Sequence, residues 1–214
     1  MNERYTNLLT DARVERFREI AAQRLNCLTL VFEHLNDPHN ISACLRAAES
    51  FGLTNAHVIS EQARYKCNEN ISMYADRWLG LNRYDTAADA VSKLREDGYT
   101  LIATALCDDS VPLANIELPK RAAILVGNEQ NGLSETLIAA ADVRLKIPMY
   151  GFTQSLNVSA ATAVILHDLS NRYREAGDHN LLSSAACDLL VKDWWQRDIQ
   201  TKTRGYADQE PNAD

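Results

Sequence analysis

Short apolar runs alternate with segments of helical period along most of the chain. The runs cover 27–32, 56–59, 99–106, 122–126 and 143–147, each the length of one strand. Between them lie helical stripes: Ile41, Leu45, Ala48 and Phe51; Ala88, Val91 and Leu94; Leu137, Ile138 and Ala141; Val158, Thr162, Ile165 and Leu169. Strands and helices in this rhythm predict an α/β domain, a mostly parallel sheet with helices on both faces. Asn36 to His39 reads as a turn and Asn40 as the cap of the helix that Gly52 closes. Asp85 opens the next helix, which Gly98 closes. Ser60 to Tyr74 reads as a polar loop. Ser134 caps a short helix, and Asn157 opens a long one that runs to Arg174.

The ends read differently. Val14, Phe17, Ala21 and Leu25 share a helical face near the N-terminus, and 181–198 forms a separate amphipathic helix with Leu189, Leu190 and Trp194. The polar residues from Thr203 onward are expected to fray. The expected division is a helical extension over 1–26, a central domain over 27–176, and a C-terminal helix and tail over 177–214.

Composition bounds the possibilities. A chain of 214 residues suits one domain with end pieces. No apolar run approaches the roughly 20 residues that span a bilayer, and Met1-Asn2-Glu3-Arg4 has no apolar signal core, so export is not expected. The five cysteines are scattered, with no CxxC pair, which favours unpaired thiols in a reducing cytoplasm over disulfides or a zinc site. No metal is expected. A net charge of −7 counts against nucleic acid on the total, but a local patch is what decides. Arg4, Arg13, Arg16, Arg18 and Arg24 are nearly matched by Glu3, Asp11, Glu15 and Glu19, so the N-terminal stripe also reads as a solvated face with paired charges.

Three strand-to-helix junctions could carry chemistry. The first is Asn36-Asp37-Pro38-His39-Asn40 with Arg46 beyond it. Arg46 lies six residues beyond Asn40, about 9 Å along the helix axis, and off the apolar stripe. On the residues alone, a capped helix with a surface arginine is the plainer reading. The second is Gly127-Asn128-Glu129-Gln130-Asn131-Gly132, where glycines admit close backbone approach. Its spacing is not G-x-G-x-x-G and no lysine follows, which disfavours both a dinucleotide fold and a triphosphate loop. The third runs from Ile147-Pro148-Met149 through Gly151 to Ser155, Asn157 and Ser159. Capping explains one of those three polar residues, and a binding site explains all of them.

Together the junctions resemble the SpoU-type (TrmH-like) branch of the knotted RNA 2′-O-ribose methyltransferases. Asn40 and Arg46 match its first motif, Gly127, Glu129 and Gly132 its second, and I-P-M-x-G-x-x-x-S-L-N-V-S is matched at every fixed position from Ile147 to Ser159. The similarity runs from about Leu28 to Arg174, and the flanking helices are similar to those of the tRNA guanosine 2′-O-methyltransferases. One segment departs: 71–78 keeps Arg77-Trp78 but lacks the family's preceding glycines.

The resemblance implies a deep C-terminal trefoil knot that binds S-adenosylmethionine. It implies a homodimer with sites at its interface, near which Phe51, Val158 and Leu169 would lie, and it implies tRNA as partner. Thr104, Leu125, Gly127, Ile147, Met149 and Leu156 would hold the cofactor. Arg46 would act on the ribose hydroxyl, helped by Asn40, Glu129, Ser155 and Asn157. A guanidinium that stays charged is a poor base, so stabilisation of developing alkoxide is the expected role. RNA contact would fall to Arg13, Arg16, Lys192, Arg197 and Lys202, with Arg204. Trp194 and Trp195 could stack on bases or pack inward. Ribosomal RNA as substrate, or a non-catalytic RNA-binding protein on the same fold, are the rival readings. Only about 26 residues before the first strand favours tRNA.

Overall fold

The computed structural model describes residues 10–35, 37–60, 75–128 and 130–207, with the side chains of 75, 76 and 202–207 excepted. Two compact units are present, one of 25–180 and one that joins the two ends of the chain, 1–24 with 181–214.

The larger unit is built on strands β1 Leu28–Glu33, β2 Asn55–Ile59, β3 Gly80–Tyr84, β4 Thr100–Thr104, β5 Val111–Pro112, β6 Ala122–Val126 and β7 Val143–Lys146. They form one sheet in the order β3-β2-β1-β6-β4-β7-β5, and every pairing among them is parallel. Strands β1 and β6 are buried at every position, as apolar runs covered on both faces should be.

Among the described residues of this unit, four α-helices cover the sheet: α2 Pro38–Ser50, α3 Ala87–Glu96, α4 Glu135–Ala140 and α5 Val158–Ala176. On one face Val31, Leu101, Ala123 and Leu125 pack with Leu94 of α3 and Leu137 of α4. The alternate positions Leu30, Phe32, Ile102 and Ile124 are equally buried, as the two-residue period of a strand requires. Helices α2 and α5 form the other layer, with Cys44 and Thr162 in contact at 3.5 Å.

Several expected boundaries shift. Asn40 is not a cap: Asp37 accepts the His39 N–H at 2.9 Å, and Pro38 starts α2. Proline is preset for that first position, and the aspartate before it takes the orphan donor. Thr86, not Asp85, caps α3 and accepts from Asp89 at 3.1 Å. The caps at Ser134 and Asn157 stand as expected. Gly52 and Gly98 follow their helices in the left-handed region, at φ 86° and 77°. Strands β3 and β5 lie where the residues predict no element: Asn82 and Arg83 are exposed and the β3 pattern does not alternate, and β5 has only two residues. The loop expected over 60–74 lies, after Ser60, outside the described residues.

His57 on β2 is buried, and its Nδ1 lies 3.1 Å from the Tyr84 hydroxyl. Burial pushes its imidazole down from 6.5 to about 4. The folded state therefore holds it neutral where the unfolded chain takes up a proton, and stability is lost as pH falls from about 6.5 toward 4. Denaturant unfolding over that range is expected to show this loss, and His57→Phe to flatten it.

The smaller unit contains α1 Asp11–Ala21 and α6 Ser184–Ala207. Helix α6 starts three residues later than expected and runs on to Ala207, through the first part of the segment expected to fray. Phe17 meets Trp194 edge-on at 6.0 Å, and the Arg24 guanidinium lies 5.1 Å from the Trp194 ring. Trp194 is buried, so it packs inward rather than facing a base. Arg13 donates from Nε and Nη2 to Asp198, both at 3.0 Å.

Candidate active site

Strands β4, β6 and β7 end side by side, and a cleft of about 650 Å³ opens at their carboxyl ends. Open parallel sheets bind ligands at this edge, and the volume suits a drug-sized molecule. Thr104 ends β4, Gly127 follows β6 and Ile147 follows β7, and all three line the cleft. Met149, Ser155, Leu156 and Asn157 form the wall contributed by the loop before α5. Five of the six residues expected to hold the cofactor, Thr104, Gly127, Ile147, Met149 and Leu156, therefore line the cleft. Leu125 does not. Its side chain is buried in the core, and its carbonyl accepts the Thr104 hydroxyl at 3.0 Å. That bond commits the Thr104 proton and leaves its oxygen able only to accept.

The first and third motifs meet through one contact. Asn157 donates from Nδ2 to Asn40 Oδ1 at 3.1 Å. Its own Oδ1 accepts from the Ser159 amide at 2.9 Å and the Ser159 hydroxyl at 2.6 Å. One side chain thus caps α5 and ties it to α2. Asn40 and Arg46 do not themselves line the cleft. Arg46 is exposed on α2, with no ion-pair partner among the described residues. Asn157→Ala removes the cap and the tie, and is expected to cost about 1 kcal/mol, measurable by denaturant unfolding.

The second motif is a closed turn. Asn128 and Gly132 exchange backbone hydrogen bonds of 3.1 and 2.8 Å. The Asn128 side chain donates to the His34 carbonyl at 2.9 Å and accepts from the Gln130 amide at 2.7 Å. Glu33, buried at the end of β1, accepts the Ser134 amide at 2.6 Å. These contacts of Glu33 and Asn128 bridge β1 and the turn, and residue periodicity carries no signal for them. Glu129 lies outside the described residues.

Of the residues expected to meet RNA, Arg13 is held by Asp198, Arg16 by Glu19 and Arg197 by Asp193. Lys192 is exposed, with no ion pair among the described residues; the Lys202 and Arg204 side chains lie outside them. Leu169 is buried inside the larger unit and offers no surface to a second subunit. A hydrophobic stripe on a helix looks the same whether its own chain or a partner covers it. Among the described residues, no His, Cys, Asp and Glu cluster could hold a metal ion, and no helix is long and apolar enough to cross a membrane.

Known proteins share this arrangement. The model of the SpoU rRNA methylase family matches residues 27–167. A tRNA (guanosine(18)-2'-O)-methyltransferase of Borreliella burgdorferi is 37% identical over 180 residues, covering 84% of this chain and 83% of the relative. The enzyme of the same name from Thermus thermophilus is 34% identical over 190 residues, covering 88% and 98%. Among solved structures, an A. aeolicus TrmH/SpoU tRNA modifying enzyme superposes with a TM-score of 0.81 at 29% identity, covering 88% of this chain and 98% of that one. The family model takes in all three junctions around the cleft, so the chain belongs to the SpoU rRNA methylase family.

Proposed function

We infer that this chain transfers a methyl group from S-adenosylmethionine to a ribose 2′-hydroxyl of tRNA. The acceptor is a guanosine, and guanosine 18, named in the relatives, is the first position to map. The observation that carries the reading is the Asn157–Asn40 bond, which joins the helix bearing Arg46 to the wall of the cleft.

The cleft suits the donor. Val126, Leu145, Ile147 and Ile165 offer apolar walls for a flat base, while Thr104 and the Gly127 turn offer a few polar contacts. The bound donor supplies a sulfonium methyl, which passes to the ribose oxygen as the carbon–sulfur bond breaks and a neutral thioether leaves. The chain's task is to place the hydroxyl and favour loss of its proton. A guanidinium is a permanent cation and a poor base, so Arg46 acts by holding the adjacent phosphate and stabilising the forming alkoxide. Asn40 and Asn157 position that helix against the loop, and Ser155 faces the substrate from the cleft wall.

The same proposal includes a trefoil knot over the C-terminal strands, a cytoplasmic location and a homodimer. Tyr150 and Phe152 are wholly exposed, and Val164 is partly so. Apolar surface of that kind favours cover by a second subunit, and a monomer in light scattering would remove the dimer. Of the end-segment cations expected to meet RNA, Lys192 is exposed with no ion pair among the described residues, whereas Arg13, Arg16 and Arg197 are paired. Lys192→Ala is expected to lower the salt slope of tRNA binding by about one; an unchanged slope would remove that contact.

The decisive experiment uses total RNA and radiolabelled donor. Label in tRNA that survives as a 2′-O-methylguanosine after nuclease digestion supports the reading. Label confined to ribosomal RNA, or none, overturns it.

A further inference from the structure

Among the described residues the cleft at the carboxyl ends of β4, β6 and β7 is mostly uncharged. Of the described residues that line it, Lys146 at the end of β7 alone carries a charged side chain. Of the acids on neighbouring segments, Asp109 accepts from Arg144 and Asp142 from Arg95 at 2.9 Å, while Asp108 is exposed. Lys146 has no ion pair or side-chain hydrogen bond among the described residues. It is half-buried, and much of the cleft lining is apolar, including Leu145, Ile147, Leu106 and Ile138. A cation beside such walls attracts an anion more strongly than one in open water. An anion taken into them needs a charged or hydrogen-bonding partner.

Resting on the reading of this cleft as the donor site, we propose that Lys146 pairs with the carboxylate of the donor's methionine portion. The donor has a single carboxylate, and the described lining has a single cation. The N-terminal end of α5 adds to the same field, because Asn157 and Val158 line the cleft at the positive end of a 19-residue helix. Lys146 is therefore a specificity residue. It distinguishes ligands that carry the amino-acid moiety from nucleosides that lack it.

The test compares two ligands by calorimetry on the full chain. S-adenosylhomocysteine keeps the carboxylate; 5′-methylthioadenosine keeps the adenosine and sulfur but has no amino acid. The unsubstituted protein should prefer S-adenosylhomocysteine. Lys146→Gln should weaken S-adenosylhomocysteine about tenfold, the loss of one charge-assisted contact, and leave 5′-methylthioadenosine unchanged. Lys146→Arg should restore most of the preference. Retained binding of 5′-methylthioadenosine shows that the variant cleft is intact. If Lys146→Gln weakens both ligands alike, or neither, the assignment to the carboxylate is wrong, including any case where only tRNA affinity falls. If the unsubstituted protein binds neither ligand, the donor-site reading fails and this assignment with it.

Discussion

Arg46→Ala should leave a folded protein that still binds S-adenosylhomocysteine and yet methylates tRNA about 10²–10³-fold more slowly, the usual loss when one donor to a developing oxyanion is removed. Arg46 is exposed on α2 and has no ion pair among the described residues, so little packing depends on it. Surface substitutions of this kind change stability by about 0.5 kcal/mol or less, and the melting temperature should barely move. The effect belongs in turnover, because the residue lies outside the donor cleft. Lysine is the sharper variant. It keeps the charge but replaces a planar fork with a point charge, so Arg46→Lys should recover only part of the lost rate. Single-turnover assays with saturating tRNA and donor measure this directly. A lysine variant as fast as the unsubstituted protein would show that the fork is not needed.

How much of this was readable in the residues depends on the range of the interaction. The central strands β1 and β6 were plain because burial on both faces demands continuous apolar runs. Caps at Ser134 and Asn157 were plain because each acts within two or three residues of itself. Asn40 was misread as a cap because Asp37 and Pro38 compete for the same helix start, and proline settles that contest. Edge strand β3 was missed because an edge need not be apolar. In the site, Gly127 and the 147–157 loop converge because parallel strands bring their carboxyl ends to one edge, which the strand and helix rhythm already implied; Thr104 is legible only through the family resemblance. Glu33, Asn128 and Lys146 were not readable as site residues. Glu33 reaches a partner 101 positions away and Asn128 one 94 positions away, while Lys146 stands out only once the other cleft walls are known.

Gly127→Ala is expected to damage the donor site more than any other single methyl addition in it. A Cβ built at Gly127 falls 2.3 Å from the carbonyl carbon and oxygen of Gly132 and 2.4 Å from the Leu133 nitrogen. All three are backbone atoms, so no side chain can swing aside. The turn must open, and the paired hydrogen bonds between Asn128 and Gly132 open with it. Overpacking of this kind costs about 1–3 kcal/mol, and it displaces two residues that line the cleft, Gly132 and Leu133. Affinity for S-adenosylhomocysteine should fall by about tenfold or more, one factor of ten for each ~1.4 kcal/mol lost. Gly132→Ala is the control. Gly132 has φ 69°, a strained angle for alanine, yet its Cβ would meet nothing within 4 Å. That substitution should cost about 1–2 kcal/mol of stability while sparing the shape of the pocket, so its melting temperature falls and its donor affinity holds. Calorimetry and thermal melts on the two variants separate the effects. If Gly127→Ala bound the donor product as tightly as Gly132→Ala does, contact between the second-motif turn and the ligand would be disproved.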